Sequence, residues 1–281
     1  MIYDSFKKNL LENDLIQKDD NVIMLNSFGK DSVVLLHLLL RMKQELDFNL
    51  SSVLFKVPRH GYGNQNEFND INKYWYDRGI ELIVINFDSE YLSWENNEVN
   101  PDDLPCPICR DLRNQQIRAV IEKYKPDVMA SGFNLTDMQN YLTTMMLISD
   151  FSFNKENMDD LRTANRFTNL LPRFHMKVNS TYYTNLLWIL PLIIFSDHEI
   201  DQYIVDNQIP YVKQKCKFKE GRAREAFSKY INLLHSNYGF KSSYSNLLEF
   251  LYRNSNDDIP PLVNDQWLLE NAKFGGNNNA K

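Results

Sequence analysis

The stretch NVIMLNSFGKDSVVLLHLLLRM, residues 21–42, decides how this chain is read. Asn21 to Leu25 is a short apolar run suited to a buried strand, and Asp31 to Met42 is long enough and apolar enough for a buried helix. Ser27, Phe28, Gly29, Lys30, Asp31 and Ser32 lie at the junction between them. A turn from a strand into a helix start surrounds an anion with backbone N–H groups and the positive end of the helix. Gly29 permits close approach of the backbone, Ser27 and Ser32 supply hydroxyls, and Lys30 supplies charge. Asp31 reads as a helix cap or as a magnesium ligand. The pattern G-x-x-x-x-G-K-[ST] is absent, so this is not an ordinary P-loop NTPase.

Outward from this stretch the same alternation repeats. Met1 to Glu12 reads as a short amphipathic helix with Ile2, Phe6 and Leu10 at spacing four. Ser52 to Val57 reads as a strand, Glu67 to Arg78 as a helix closed by Gly79, and Glu81 to Asn86 as a strand. Asp111 to Lys123 follows as a helix stopped before Pro126, then Val128 to Ser131 as a strand. Strands alternating with helices of this length imply βαβ units and an α/β fold, a parallel sheet with helices on both faces. Ligands in such sheets bind beyond the carboxyl ends of the strands, where the strand order reverses.

Past residue 150 the pattern loosens. Phe151 to Asn185 is polar and rich in Asn and Thr, a long excursion or lid. Trp188 to Phe195 reads as a further strand, and Ser196-Asp197 caps a helix running to about Asn207. Arg222 to His235 and Tyr244 to Tyr252 read as helices. The expected organisation is an N-terminal helix over 1–20, an α/β domain over 21–215, a helical part over 216–274 and a disordered tail over 275–281.

Composition bounds the function. The 281 residues are 43% hydrophobic and 13% aromatic, enough for a sizeable core. A net charge of −6 and a pI near 5.4 give no global nucleic-acid footprint, although a local basic patch is compatible with them. A membrane span needs about 18 or more apolar residues, and the nearest run, Leu186 to Phe195, is roughly half that and holds Pro191. The first residues carry no apolar signal core, so the expected location is the cytoplasm.

In that compartment three cysteines are metal ligands or reactive thiols before they are disulfides. Cys106 and Cys109 form a CxxC just before an expected helix, and Cys216 stands far downstream. The pair alone reads as a redox couple or half a zinc site, with His60 or His175 available as a further ligand. Three thiolates also suit a [4Fe–4S] cluster with one iron free of protein ligands. Three unrelated buried thiols are the plain alternative.

Taken in order, the motifs resemble those of the PP-loop ATP pyrophosphatases, and within them the iron–sulfur-dependent tRNA 2-thiouridine and 2-thiocytidine synthases. SFGKDS at 27–32 matches the family's SGGKDS in five of six positions, with Phe28 in place of a glycine. CPIC follows at 106–109, SGFNLTD at 131–137 stands for the family's G-H-N-x-x-D-like motif, and Cys216 is the late third cysteine. Leu190-Pro191-Leu192 before a helix, and Ile209-Pro210-Tyr211 after it, complete a likeness over roughly residues 20 to 235.

The resemblance implies an ATP-dependent sulfurtransferase that adenylates a carbonyl oxygen of a nucleobase and replaces it with sulfur. It implies ATP bound by Ser27 to Ser32 with Gly132 and Asn134, magnesium on the phosphates, and a [4Fe–4S] cluster on Cys106, Cys109 and Cys216. Cys109 and Cys216 are also the sulfur carriers of a cluster-free persulfide version. Asp137 takes the place of the family's motif aspartate as acid or base, and Arg113 that of a catalytic basic residue. Thr136 replaces a family aspartate and Phe133 a family histidine, which leaves open an ATP-binding protein with structural zinc. Arg222 and Arg224 are candidate phosphate contacts. A phosphoadenylylsulfate reductase-like enzyme shares a similar loop but uses a C-terminal cysteine motif that this sequence lacks. The implied partners are a nucleobase-containing acceptor (tRNA or a small molecule), sulfide or a sulfur-donor protein, and a second copy in a homodimer. The flanking zinc-finger cysteines of the 2-thiouridine enzymes and an obvious basic RNA-binding extension are missing, which with the acidic pI weakens the expectation of tRNA as acceptor and leaves a free base, nucleoside or other small carbonyl compound open.

Overall fold

A computed structural model describes residues 2–56, 65–86, 106–137, 139–140, 186–213, 227–231 and 233. The expected lid over 151–185, the tail, and most of the C-terminal helices lie outside the described residues. The elements are α1 (Ile2–Glu12), β1 (Asn21–Asn26), α2 (Lys30–Lys43), β2 (Asn49–Lys56), α3 (Gln65–Tyr76) and β3 (Glu81–Asn86). They continue with α4 (Cys106–Tyr124), β4 (Val128–Ser131), β5 (Leu187–Ile189) and α5 (Asp197–Asn207).

The five strands form one parallel sheet in the order β3-β2-β1-β4-β5. From β1 the chain steps outward through β2 to β3, then returns to place β4 on the other side of β1. The strand order therefore reverses between β1 and β4. Leu25 pairs with Ser131 in the register of these two strands, so the segments that follow each leave the sheet side by side.

Helices cover both faces, as the nearly unbroken apolar strands require. On one face α1, α2, α3 and α5 pack through Phe6, Leu35, Leu39, Trp75 and Ile200 onto Val22, Met24 and Leu54. On the other, Ile117, Val120 and Ile121 of α4 pack onto Ile23, Val53 and Met129. α1 buries Tyr3, Phe6 and Leu10, with Ile2 only partly buried.

β2 begins at Asn49 rather than Ser52 and α3 runs two residues earlier than expected, and two further elements differ more. α4 begins at Cys106 rather than Asp111, so the CxxC pair occupies its first turn. Pro107 does not prevent this, because the first-turn N–H groups have no partner inside the helix. β5 ends at Ile189 instead of reaching Phe195. Pro191 has no N–H for a ladder, and turns replace the strand, with Ile193 N–H on the Leu190 carbonyl and Phe195 N–H on that of Leu192. α5 starts as its sequence demands. Ser196 Oγ accepts from Glu199 N–H and the Glu199 carboxylate accepts from Ser196 N–H, a complete capping box.

Candidate nucleotide site at the strand-order reversal

Residues 27–32 sit at the carboxyl end of β1, in the crevice where the order reverses. Their geometry is fixed by a dense set of local bonds. Ser32 Oγ donates to the Gly29 carbonyl at 2.8 Å and accepts from Ser27 N–H at 3.3 Å, and the two serine hydroxyls lie 3.1 Å apart. Gly29 is the N-cap of α2 and has no side-chain cap bond. The first-turn N–H groups of α2 have no acceptor in the helix ladder and no N-cap side chain over them, as an anion site needs.

Asp31 does not cap the helix; its carboxylate turns toward the segment after β4. Asn134 Nδ2 donates to Asp31 Oδ1 at 2.6 Å and to Asp197 Oδ1 at 2.8 Å. Asn134 Oδ1 accepts from the Asp137 N–H at 2.9 Å, which fixes the amide with its NH2 toward the carboxylates. Burial and then the Asp197 carboxylate push Asp31 up to about 6, against the opposing pull of Lys30 and Asn134. Lys30 Nζ lies 3.1 Å from Asp201 and 3.5 Å from Asp197. Burial works against its charge, but the carboxylates of Asp197, Asp201 and Asp31 prevail and hold its pKa above the ordinary lysine value.

Gly132 is required by space. It has no positive φ, yet a Cβ there would stand 2.9 Å from the Asp31 carbonyl carbon and 3.0 Å from Ser32 N. The backbone after β4 is therefore seated directly on the first turn of α2.

Phe28 meets the loop's conformational demand in an unusual way. Its φ is 54°, in the left-handed region that a glycine enters freely and other residues enter at a cost of about 1–2 kcal/mol. The ring does not wall the nucleotide crevice; it is fully buried, 5.5 Å from the Phe68 ring. Its carbonyl accepts from Val212 N–H at 2.7 Å. Core burial offsets the backbone cost, so the turn keeps a left-handed residue where the resembling motif carries glycine.

The remaining sequence-derived residues fall as follows. Asp137 is half-buried, one turn beyond Asn134. Thr136 Oγ1 accepts from Asp197 N–H at 3.3 Å, so it ties α5 to this segment. Arg113 is exposed on α4, the helix of the opposite face. Cys106 and Cys109 lie three residues apart in the first turn of α4. Their side chains, and all of Cys216, Arg222, Arg224, His60 and His175, lie outside the described residues. Among the described residues no group of three His, Cys, Asp or Glu is arranged to hold a metal ion, and no helix is long and apolar enough to cross a membrane.

Sequence reasoning missed Asp197, Asp201 and Asn26. Asp197 was visible only as part of a helix start. Asn26 carried one signal, a polar residue buried at the end of an apolar strand.

The parallel sheet, the anion-ready turn after β1 and its partner segment after β4 define a protein of the PP-loop fold. The chain belongs to the phosphoadenosine phosphosulfate reductase domain family, whose sequence pattern matches residues 21–214. Among curated relatives, it is 30% identical to a tRNA(Ile)-lysidine synthase of Clostridioides difficile (strain 630) over 154 residues, 53% of this chain and 30% of that protein. It is 25% identical to a tRNA(Ile)-lysidine synthase of Thermosipho africanus (strain TCF52B) over 220 residues, 77% of this chain and 44% of that one. The chain thus spans less than half the length of these relatives. Among solved structures, the U34-tRNA thiolase NcsA of Methanococcus maripaludis, with its [4Fe-4S] cluster, superposes with a TM-score of 0.65. That match has 19% identity and covers 90% of this chain and 79% of that one. At that identity it establishes the shared fold.

Proposed function

We propose that this chain is a cytoplasmic, ATP-dependent enzyme that adenylates a carbonyl oxygen of a nucleobase and exchanges it for sulfur. The observation that carries the reading is the seating of Gly132 and Asn134 on the Ser27 to Ser32 turn at the β1–β4 reversal. Its support is the family match, together with relatives and a neighbour whose names all carry tRNA.

A carbonyl oxygen is a poor leaving group, and adenylation converts it into a good one. The acceptor oxygen attacks the α-phosphorus of ATP, the bond to the β-phosphate breaks, and pyrophosphate leaves. A sulfur nucleophile then adds at the carbonyl carbon, and AMP departs with the original oxygen. In this chain the amides of the α2 first turn, the hydroxyls of Ser27 and Ser32, and Lys30 take the charge that develops on the leaving pyrophosphate. Asn134 holds Asp31 and Asp197 in place, and Asp137 moves a proton or orients the acceptor.

Magnesium takes oxygen donors, usually one or two carboxylates beside substrate phosphates. The Asp31 and Asp197 pair, joined through one amide, fits that requirement. For a [4Fe–4S] cluster the donor set would be Cys106, Cys109 and Cys216, three thiols of the kind such clusters take, with the first two three residues apart at the start of α4. When bound, the cluster would supply the site from which sulfur is delivered.

The test is anaerobic purification with iron and sulfide analysis, then incubation with ATP and either unmodified tRNA or free nucleosides. AMP, pyrophosphate and an acceptor whose mass shows sulfur in place of oxygen are the expected products. Cys216→Ala should abolish the sulfur product while ATP binding persists. Iron-free protein with full activity after Cys216→Ala would remove the cluster, and turnover of phosphoadenylyl sulfate in place of ATP would replace the reaction.

A further inference from the structure

Asn26 ends β1 with its side chain 4% exposed, and both halves of its amide are engaged. Oδ1 accepts from the Phe28 N–H at 2.8 Å, closing a side-chain turn over two residues. Nδ2 donates at 3.0 Å to Ser52 Oγ on β2, a hydroxyl with no exposure at all. A buried relay thus runs from the neighbouring strand, through Asn26, to the backbone of the one residue in this turn that is not glycine yet holds a left-handed φ.

The other attachments of Phe28 act elsewhere on the residue. Phe68 holds the ring and Val212 N–H holds the carbonyl, whereas the N–H orientation follows from Asn26. That orientation sets the direction in which the chain enters Gly29, and hence the aim of the α2 first-turn amides.

We infer that Asn26 is a positioning residue for the nucleotide site, holding Phe28 left-handed so that the turn stays shaped for phosphate. The assignment rests on the ATP reading above. Without the Asn26 carboxamide, the buried Phe28 N–H has no acceptor, and the residue can relieve both that deficit and its own backbone cost by leaving the left-handed region. The turn is then competent only part of the time, and apparent affinity falls by the competent fraction. The left-handed cost for a non-glycine residue corresponds to roughly a tenfold loss.

The experiment measures ATP–magnesium affinity by titration calorimetry for wild type, Asn26→Ala, Asn26→Ser and Ser52→Ala, with thermal melting of each. Asn26→Ala should bind about tenfold more weakly. Serine at 26 still offers an oxygen to the N–H two residues on, so Asn26→Ser should stay within about threefold of wild type. Ser52→Ala, which removes only the anchor, should lose about threefold. If Asn26→Ala does not fold, the other two variants decide: Ser52→Ala binding as wild type overturns the assignment. So does Asn26→Ala that melts lower but binds ATP equally, or Asn26→Ser as weak as Asn26→Ala. A wild-type chain that binds no ATP overturns the proposed function and this assignment with it.

Discussion

Replacing Gly132 by alanine is the sharpest steric perturbation the site allows. The new Cβ would lie 2.9 Å from Asp31 C, 3.0 Å from Asp31 O and 3.0 Å from Ser32 N, all backbone atoms. Ordinary van der Waals contact begins near 3.4 Å, so one of two backbones must retreat by about 0.5 Å, and no side-chain rotation can help. Overpacking of this kind costs about 1–3 kcal/mol. For a chain of this size that corresponds to a fall of roughly 2–10 °C in Tm. The retreating element is the first turn of α2, so ATP affinity should drop about tenfold to a hundredfold as the amides lose their aim. Gly79→Ala is the control. Its Cβ meets nothing within 4 Å, but its φ is +78°, so it should lose about 1 kcal/mol and no ATP affinity. The assay is thermal melting with calorimetric titration of ATP–magnesium. If Gly132→Ala melts and binds like wild type, the seating of the β4 segment on the turn is not what shapes the site.

Lys30→Ala removes the cation that the phosphates need and leaves Asp31 and Asp197 without it; ATP turnover should fall about a hundredfold in a pyrophosphate-release assay. Phe28→Gly relieves a left-handed cost of about 1–2 kcal/mol but loses a fully buried ring whose removal costs about 3–5 kcal/mol. Chemical unfolding should show a net loss of about 1–4 kcal/mol, while the folded fraction still binds ATP. His37 is bonded to the Tyr203 hydroxyl at 3.0 Å; burial, then Arg78 and Arg41, hold its pKa below the ordinary histidine value. The unfolded chain therefore takes up this proton first, and stability should decline as pH falls from about 6.5 through the lower folded value. Urea midpoints across that range should show this decline in wild type and lose it in His37→Gln.

The alternation of apolar runs and helix-length segments was enough to place β1 to β4 and α1 to α3 within a few residues, because buried parallel strands and their crossovers have an unambiguous period. The CxxC helix was started five residues late, since a proline inside the first turn resembles a boundary although it satisfies helix geometry there. Trp188 to Phe195 reads as a strand by hydrophobicity alone, and Pro191 decides otherwise only once ladder bonds are counted. Within the site, the turn after β1 was legible as a motif. What surrounds it was not: Asn134 and Asp31 are 103 residues apart in sequence, and Asp197 a further 63 beyond Asn134. Their convergence depends on the strand order reversing between β1 and β4, which no local pattern encodes. Phe28 was legible as a departure from glycine, but its burial and its tie to Asn26 were visible only in three dimensions.

The proposed chemistry is adenylation of an acceptor oxygen by ATP at the Ser27 to Ser32 turn. It is tested most directly by supplying ATP, a sulfur source and an unmodified tRNA transcript or nucleosides carrying heavy oxygen in the base carbonyl, then following that oxygen. AMP and pyrophosphate should form in equal amounts, with the heavy oxygen recovered in AMP, and Lys30→Ala should form both about a hundredfold more slowly. Formation of ADP and phosphate, or of AMP without the label, would contradict it.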